Sequence, residues 1–229
     1  MSGLRLKRYL IEALRLLRQR RFRVLLDKGR RLSGMTASRI SAAELASACA
    51  DLNALVCVVD SAQAGGAAMA AALSASDWRA QGCGTLHLGC DPLGNLTVSL
   101  SVPGETQPVL AGRLVEWPVL PSTVTQLEIH SLAGFIGPDE TADWLIAAVE
   151  GALPVTLFWH DHFLICPTRH LLDPEHRYCG VPEVAECARC LPDNPNCLDA
   201  PLRKTDITLW RQHWGQLLNG ISVIRVFSA

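Results

Sequence analysis

The run Pro154–Trp159 (PVTLFW) carries no charge and empties into His160-Asp161-His162. An apolar stretch of this length, closed by polar residues, predicts a strand buried on both faces, as in a parallel sheet. Open parallel sheets bind their ligands outside the carboxyl ends of their strands, so the search for a site begins at His160.

A second apolar run, Ala54–Val59 (ALVCVV), is closed by Asp60 and followed by SAQAGG and the alanine-rich AAMAAAL. This order is strand, glycine loop, helix. Gly65 and Gly66 would let backbone amides approach a ligand at a helix N-terminus, although a glycine pair at such a turn also serves tight packing alone. Gly84–Cys90, Leu96–Val102 and Val109–Trp117 read as further strands, separated by DPLGN and PGETQ turns. The middle one alternates Leu96, Val98, Leu100 and Val102 against Thr97, Ser99 and Ser101, the pattern of a half-exposed strand. Leu127–His130 is a short strand. Asp139–Gly151 is a helix turning Trp144, Leu145, Ala148 and Val149 to the core, and Trp210, Trp214, Leu217 and Leu218 mark another. Arg211 beside them either reaches an acidic group or stands at the surface. The fold class is therefore α/β, a Rossmann-like, mostly parallel sheet flanked by helices, spanning residues 41–229.

Charge separates that domain from residues 1–40. Residues 1–31 hold eleven Lys and Arg against Glu12 and Asp27, a net +9, which leaves −10 for residues 32–229. The positive charge belongs to one element, which excludes a nucleic-acid surface spread over the fold. Within residues 4–31, Leu10, Leu14 and Leu17, then less regularly Val24 and Leu25, recur at helical spacing between arginines. This basic amphipathic helix either packs on a protein surface or lies at an anionic membrane face. Residues 33–41 form a polar connector. No apolar span of about 18 residues is present, and the first residues are too basic throughout for a secretory signal. The expected location is cytoplasmic, with the inner membrane face as the place where the basic helix would rest.

The ordered motifs from VTLFWHDHFLICP through LLD, YCGVPE and CARC to ITLWRQHWGQLLNGISVIRVFSA resemble those closing the N-terminal domain in a group of bacterial group 1 glycosyltransferases with the GT-B fold. In that group a strand ends in His-Asp, Cys-Pro follows, and a YCG and CxxC segment leads into a WR-containing helix and a short strand. Upstream, VVDSAQAGGAAM and IHSLAGF resemble the group's glycine-rich first loop and a short strand ending in His, so the likeness covers residues 54–229. It implies the acceptor-side half of an enzyme of polysaccharide biosynthesis, moving a sugar from a nucleotide-sugar to a polysaccharide or lipid-linked glycan. The C-terminal donor-binding domain has no counterpart in this sequence, so the chain alone is expected to be inactive. Phe227 stands where the group prefers proline. The resemblance puts His160 and Asp161 at the floor of the cleft, with Gly65, Gly66 and His130 at its rim and His162 as a neighbour. His160 and Asp161 would contact the sugar, deprotonate the acceptor hydroxyl, or hold one another in the needed tautomer.

Five of the nine cysteines lie between residues 166 and 200. Cys187-x-x-Cys190 can hold one Zn²⁺, with Cys179 and Cys197 completing a tetrahedron and Cys166 or His176 in reserve. The alternatives are buried free thiols or a disulfide formed on oxidation. Cys49, Cys57, Cys83 and Cys90 read as small buried hydrophobes. Two other functions compete with glycosyl transfer: a non-enzymatic Rossmann-like binding module with a zinc-clipped loop, and a zinc hydrolase in which His160, Asp161 and His162 share a metal.

Overall fold

The computed structural model describes Leu14 and residues 38–227, apart from 63, 92–93, 136, 169 and 198–205. The basic segment and its proposed membrane face thus lie outside the described residues, Leu14 excepted. Ser38 to Ile40, the end of the sequence-read connector, already belong to the domain. Ile40 is buried in the main core and its amide donates to the Arg113 carbonyl at 2.9 Å.

The first helix, α1 (Ala42–Cys49), is set by a capping box. Ser41 Oγ accepts from the Glu44 amide while the Glu44 carboxylate accepts from the Ser41 amide. Strand β1 (Leu55–Val59) follows, buried at all five positions. Helix α2 (Gly66–Ala80) opens after Gly65, whose φ of +90° is a conformation that glycine adopts without strain. Then come β2 (Gly84–Cys90), β3 (Leu96–Ser101), β4 (Leu110–Arg113), β5 (Val124–Ile129), α3 (Pro138–Glu150) and β6 (Val155–Trp159). The described chain closes with α4 (Val184–Cys190), a 3₁₀ turn (Leu191–Asp193), α5 (Ile207–Gly220) and β7 (Val223–Val226).

The seven strands form one sheet in the order β4-β3-β2-β1-β5-β6-β7. The five strands from β2 to β7 in that order run parallel, and β3 and β4 add an antiparallel edge. Strand alternation assigns the faces. Leu55, Cys57 and Val59 of β1 share one core with Leu127, Ile129 and Leu157, beneath Leu45 of α1, Leu145 of α3 and Trp210, Trp214 and Leu217 of α5. Val56 and Val58 face the other way, onto Ala71 and Ala75 of α2. The chain thus steps from β1 to β2 across one face and from β5 outward across the other. That change of face with direction is what right-handed crossovers require. The fold is α/β with a mostly parallel mixed sheet flanked by helices, compatible with the Rossmann-like class.

Strand β3 alternates buried and half-buried residues as its sequence predicts, and Trp214 and Leu217 are almost fully buried. Other expectations need correction. The segment read as a strand from Val109 to Trp117 pairs only over β4, and β5 begins at Val124 rather than Leu127. Cys49 and Cys57 are buried, whereas Cys83 and Cys90 are half-buried. The cysteine-rich segment, read from the sequence as a loop over residues 166–200, contains helix α4. No helix among the described residues is long and apolar enough to cross a membrane.

Candidate functional site at the carboxyl edge of the sheet

Because β2 lies on one side of β1 and β5 on the other, the carboxyl ends of β1 and β5 flank the point where the strand order reverses. Side chains from three strands meet there. Asp60, buried just past β1, bridges to β5: its Oδ1 accepts from the Ser131 amide at 3.2 Å and from the Ala62 amide at 3.0 Å. Ser61 donates its amide to the Ser131 carbonyl at 2.7 Å, and its Oγ accepts from the Gly134 amide at 2.8 Å. A Cβ on Gly134 would lie 2.8 Å from Ser61 Cβ and 2.9 Å from Cys90 Sγ, so glycine is needed for this loop to lie against β1.

The end of β6 joins the same cluster. Strand β6 stops at Trp159 and the chain turns, so His160 and Asp161, adjacent in sequence, both reach the end of β5. His160 Nε2 lies 3.1 Å from His130 Nδ1. The Asp161 carboxylate accepts from Ser131 Oγ at 3.4 Å and from the Phe163 amide at 3.0 Å. His130, His160 and Asp161 line one small surface depression with Phe158. Of the expected site residues, these three are brought together.

Rings stack across this edge of the sheet. His130 lies over Phe158 with centroids 4.2 Å apart, and His160 lies against Phe227 at 4.6 Å. Phe227 thus stacks on His160, one of the expected site residues. Burial and the neighbouring His130 push the His160 imidazole below its usual range, against the opposing pull of Asp60 and Asp161. His160 is thereby favoured neutral, as a group that accepts a proton must be.

Glu128 lies two residues before His130 and on the same face of β5. It is buried at 3% exposure and takes bonds from Ser74 Oγ at 2.5 Å and Trp78 Nε1 at 2.9 Å, both on α2. Burial pushes its carboxyl up, but the His130 ring and the bonds from Ser74 and Trp78 outweigh that, and the net shift is downward. Its Oε2 stands 3.8 Å from His130 Nε2, too far for a hydrogen bond. The sequence reading missed Glu128, Asp60, Ser61 and Ser131 as site residues. The one available signal was the i, i+2 spacing of Glu128 and His130 in a strand whose neighbours are apolar.

The remaining expected residues lie apart. Gly65 and Gly66 open α2 with nothing within 4 Å of where a Cβ would stand, and neither lines the depression at His160. His162 turns its ring edge-on to Trp159 at 6.2 Å. Among the described residues no three His, Cys, Asp or Glu side chains are grouped to hold a metal ion, so the shared metal of the hydrolase reading finds no support.

The cysteine segment gathers at the N-terminal half of α5. Arg211 donates from Nη2 to Cys187 Sγ at 3.2 Å and from Nε and Nη1 to the Ile165 and Pro182 carbonyls, each at 3.4 Å. It is half-buried and, among the described residues, meets two carbonyls and a sulfur instead of the acidic group expected as one of its two roles. Asn194 Nδ2 donates to Cys190 Sγ at 3.1 Å and to the Leu172 carbonyl at 2.8 Å. Cys166, Cys187 and Cys190 all lie close enough to Cys179 to help burial raise its thiol. The expected ligands Cys179, Cys187, Cys190 and Cys197 are thus neighbours in part, but among the described residues they form no group able to hold a metal ion. Cys197 is buried, and its amide closes a turn on the Asn194 carbonyl at 3.1 Å. No family model, curated protein or solved structure matches this chain.

Proposed function

We propose that this chain is the acceptor-side half of a bacterial group 1 glycosyltransferase of the GT-B kind. It would pass a sugar from a nucleotide-sugar to a polysaccharide or lipid-linked glycan, with the donor-binding domain supplied outside this sequence. The observation that carries the reading is the meeting of His160 and Asp161 with His130 and Ser131 beside the reversal point of the sheet. A neutral imidazole there suits transfer: the acceptor hydroxyl oxygen bonds to the anomeric carbon, the bond to the diphosphate breaks, and the hydroxyl proton passes to His160. Asp161 is held by Ser131 and Phe163 where it can meet a sugar hydroxyl. The reading places the protein in the cytoplasm, with residues 4–31 resting on the inner membrane face.

The test is an array of bacterial polysaccharide and lipid-linked glycan fragments probed with the chain and with His160→Ala and Asp161→Asn. A defined glycan class should bind, and each substitution should weaken binding at least about tenfold, or roughly 1.4 kcal/mol. Binding to no fragment, or binding indifferent to both substitutions, would sink the proposal.

The second reading, a binding module with a zinc-clipped loop, draws on Cys166 and Cys190 lying near enough to Cys179 and Cys187 to help burial raise those two thiols. The N–H donors aimed at two of these sulfurs by Arg211 and Asn194 suit thiolate ligands. Zinc would supply a cross-link in this loop. Elemental analysis of the purified chain decides: near-stoichiometric zinc, with stability lost to a chelator, supports the clip, and absence of metal removes it.

A further inference from the structure

His130 Nε2 is buried and has no hydrogen-bond partner among the described residues, an uncommon condition for an imidazole nitrogen. The nearest charge it faces is the Glu128 carboxylate, at 3.8 Å. A carboxylate at that distance repels a bare nitrogen lone pair and attracts an N–H, so it favours the proton of neutral His130 on Nε2. The other ring nitrogen, Nδ1, is then unprotonated and can only accept. Its partner at 3.1 Å, His160 Nε2, must donate.

We infer that Glu128 is a positioning residue that acts through His130 to hold the proton of His160 on Nε2, leaving Nδ1 of His160 as its basic nitrogen. The inference rests on the glycosyl-transfer reading for the use of that nitrogen, and on geometry alone for the tautomer.

Two alternatives meet structural objections. Turning the His130 ring over would put carbon opposite His160 Nε2 and forfeit the 3.1 Å contact. An imidazolium at His130 would donate from Nδ1 and force the proton of His160 onto Nδ1. That arrangement calls for a charge-assisted bond to Glu128, and such bonds close to about 2.7–2.9 Å. At 3.8 Å the Nε2 of that imidazolium would lack any hydrogen bond, on a ring whose own side chain is 0% exposed and stacked on Phe158. Glu128 itself is held in place by Ser74 and Trp78, so α2 anchors the series on the opposite face from α3 and α5.

The test is ring ¹⁵N–¹H correlation NMR of the isotopically labelled chain at neutral pH, which distinguishes protonated from bare imidazole nitrogens without any substrate. His160 should show N–H at Nε2 and a bare Nδ1. Glu128→Gln removes the charge, and the His160 signals should move toward those of mixed tautomers. Should Glu128→Gln fail to fold, His130→Phe retains an aromatic ring over Phe158 and removes the acceptor, and His160 should again lose its single tautomer. N–H at Nδ1 in the unsubstituted chain, or an unchanged His160 tautomer in the folded variant, would overturn the inference. Neither result depends on glycan binding, so the inference and the glycosyltransferase reading fail separately.

Discussion

Replacing Arg211 with Met tests whether one side chain holds the cysteine segment to the rest of the domain. Methionine keeps an unbranched apolar stem and removes the three donations, to Cys187 Sγ at 3.2 Å and to the Ile165 and Pro182 carbonyls at 3.4 Å. Each bond is long, which puts its net worth near the lower end of the usual ~0.5–1.5 kcal/mol. Three such bonds, with two carbonyls left poorly satisfied, give a loss of about 2 kcal/mol. Urea unfolding followed by tryptophan fluorescence reads the global part, since Trp210 and Trp214 flank the substitution. Hydrogen exchange reads the local part: amides of α4 such as Cys187, bonded to the Glu183 carbonyl, should exchange about 30-fold faster, at roughly 1.4 kcal/mol per tenfold. Arg211→Lys, able to replace one donation but not a fork, should fall between. A loss below about 0.5 kcal/mol with α4 protection unchanged, the behaviour of an ordinary surface arginine, would refute the reasoning.

Gly134→Ala should cost about 1–3 kcal/mol, because the added carbon meets Ser61 and Cys90, which belong to neighbouring strand ends; a neutral outcome in thermal unfolding would show that the loop can retreat. Burial pushes His87 below the usual histidine range, with Asp60 opposing. The unfolded chain then takes up a proton near pH 6.5 before the folded one does, so stability is present above that pH and falls as the pH drops through the folded value. His87→Gln should flatten the dependence of unfolding free energy below about pH 6.5, and a slope equal to that of the parent chain would contradict the assignment.

The parts of the fold that were legible in the sequence are those where one strand's own pattern decides. The apolar runs of β1 and β6 and the alternation of β3 each announce burial without reference to anything distant. The start of strand β5 is hidden because Thr125 and Gln126 separate Val124 from the apolar Leu127. Glu128 is tolerated inside only because Ser74 and Trp78 arrive from a helix fifty or so residues earlier, and no local pattern encodes that arrival. Helix α4 is seven residues long, too short for periodicity to show. The site was half legible for the same reason. His160-Asp161 stands out at the end of an apolar run, whereas Asp60, Ser61 and Ser131 acquire a role only when the ends of β1 and β5 come side by side. The fork of Arg211 depends on three separate stretches of chain and leaves no mark in its own neighbourhood.

The central place of β1 has a consequence for how the protein is made. One of its flanks pairs with β2, which follows soon after it, but the other waits for β5, whose first residue, Val124, comes long after Val59. At about 5–20 residues per second, a ribosome leaves that flank open for roughly three to thirteen seconds. During that interval the β1–β4 portion exposes an unpaired, apolar parallel edge, the kind of surface on which chains associate wrongly. Folding yield in the cell should therefore depend on the rate of translation through residues 60–124, and on chaperones that shield the edge meanwhile.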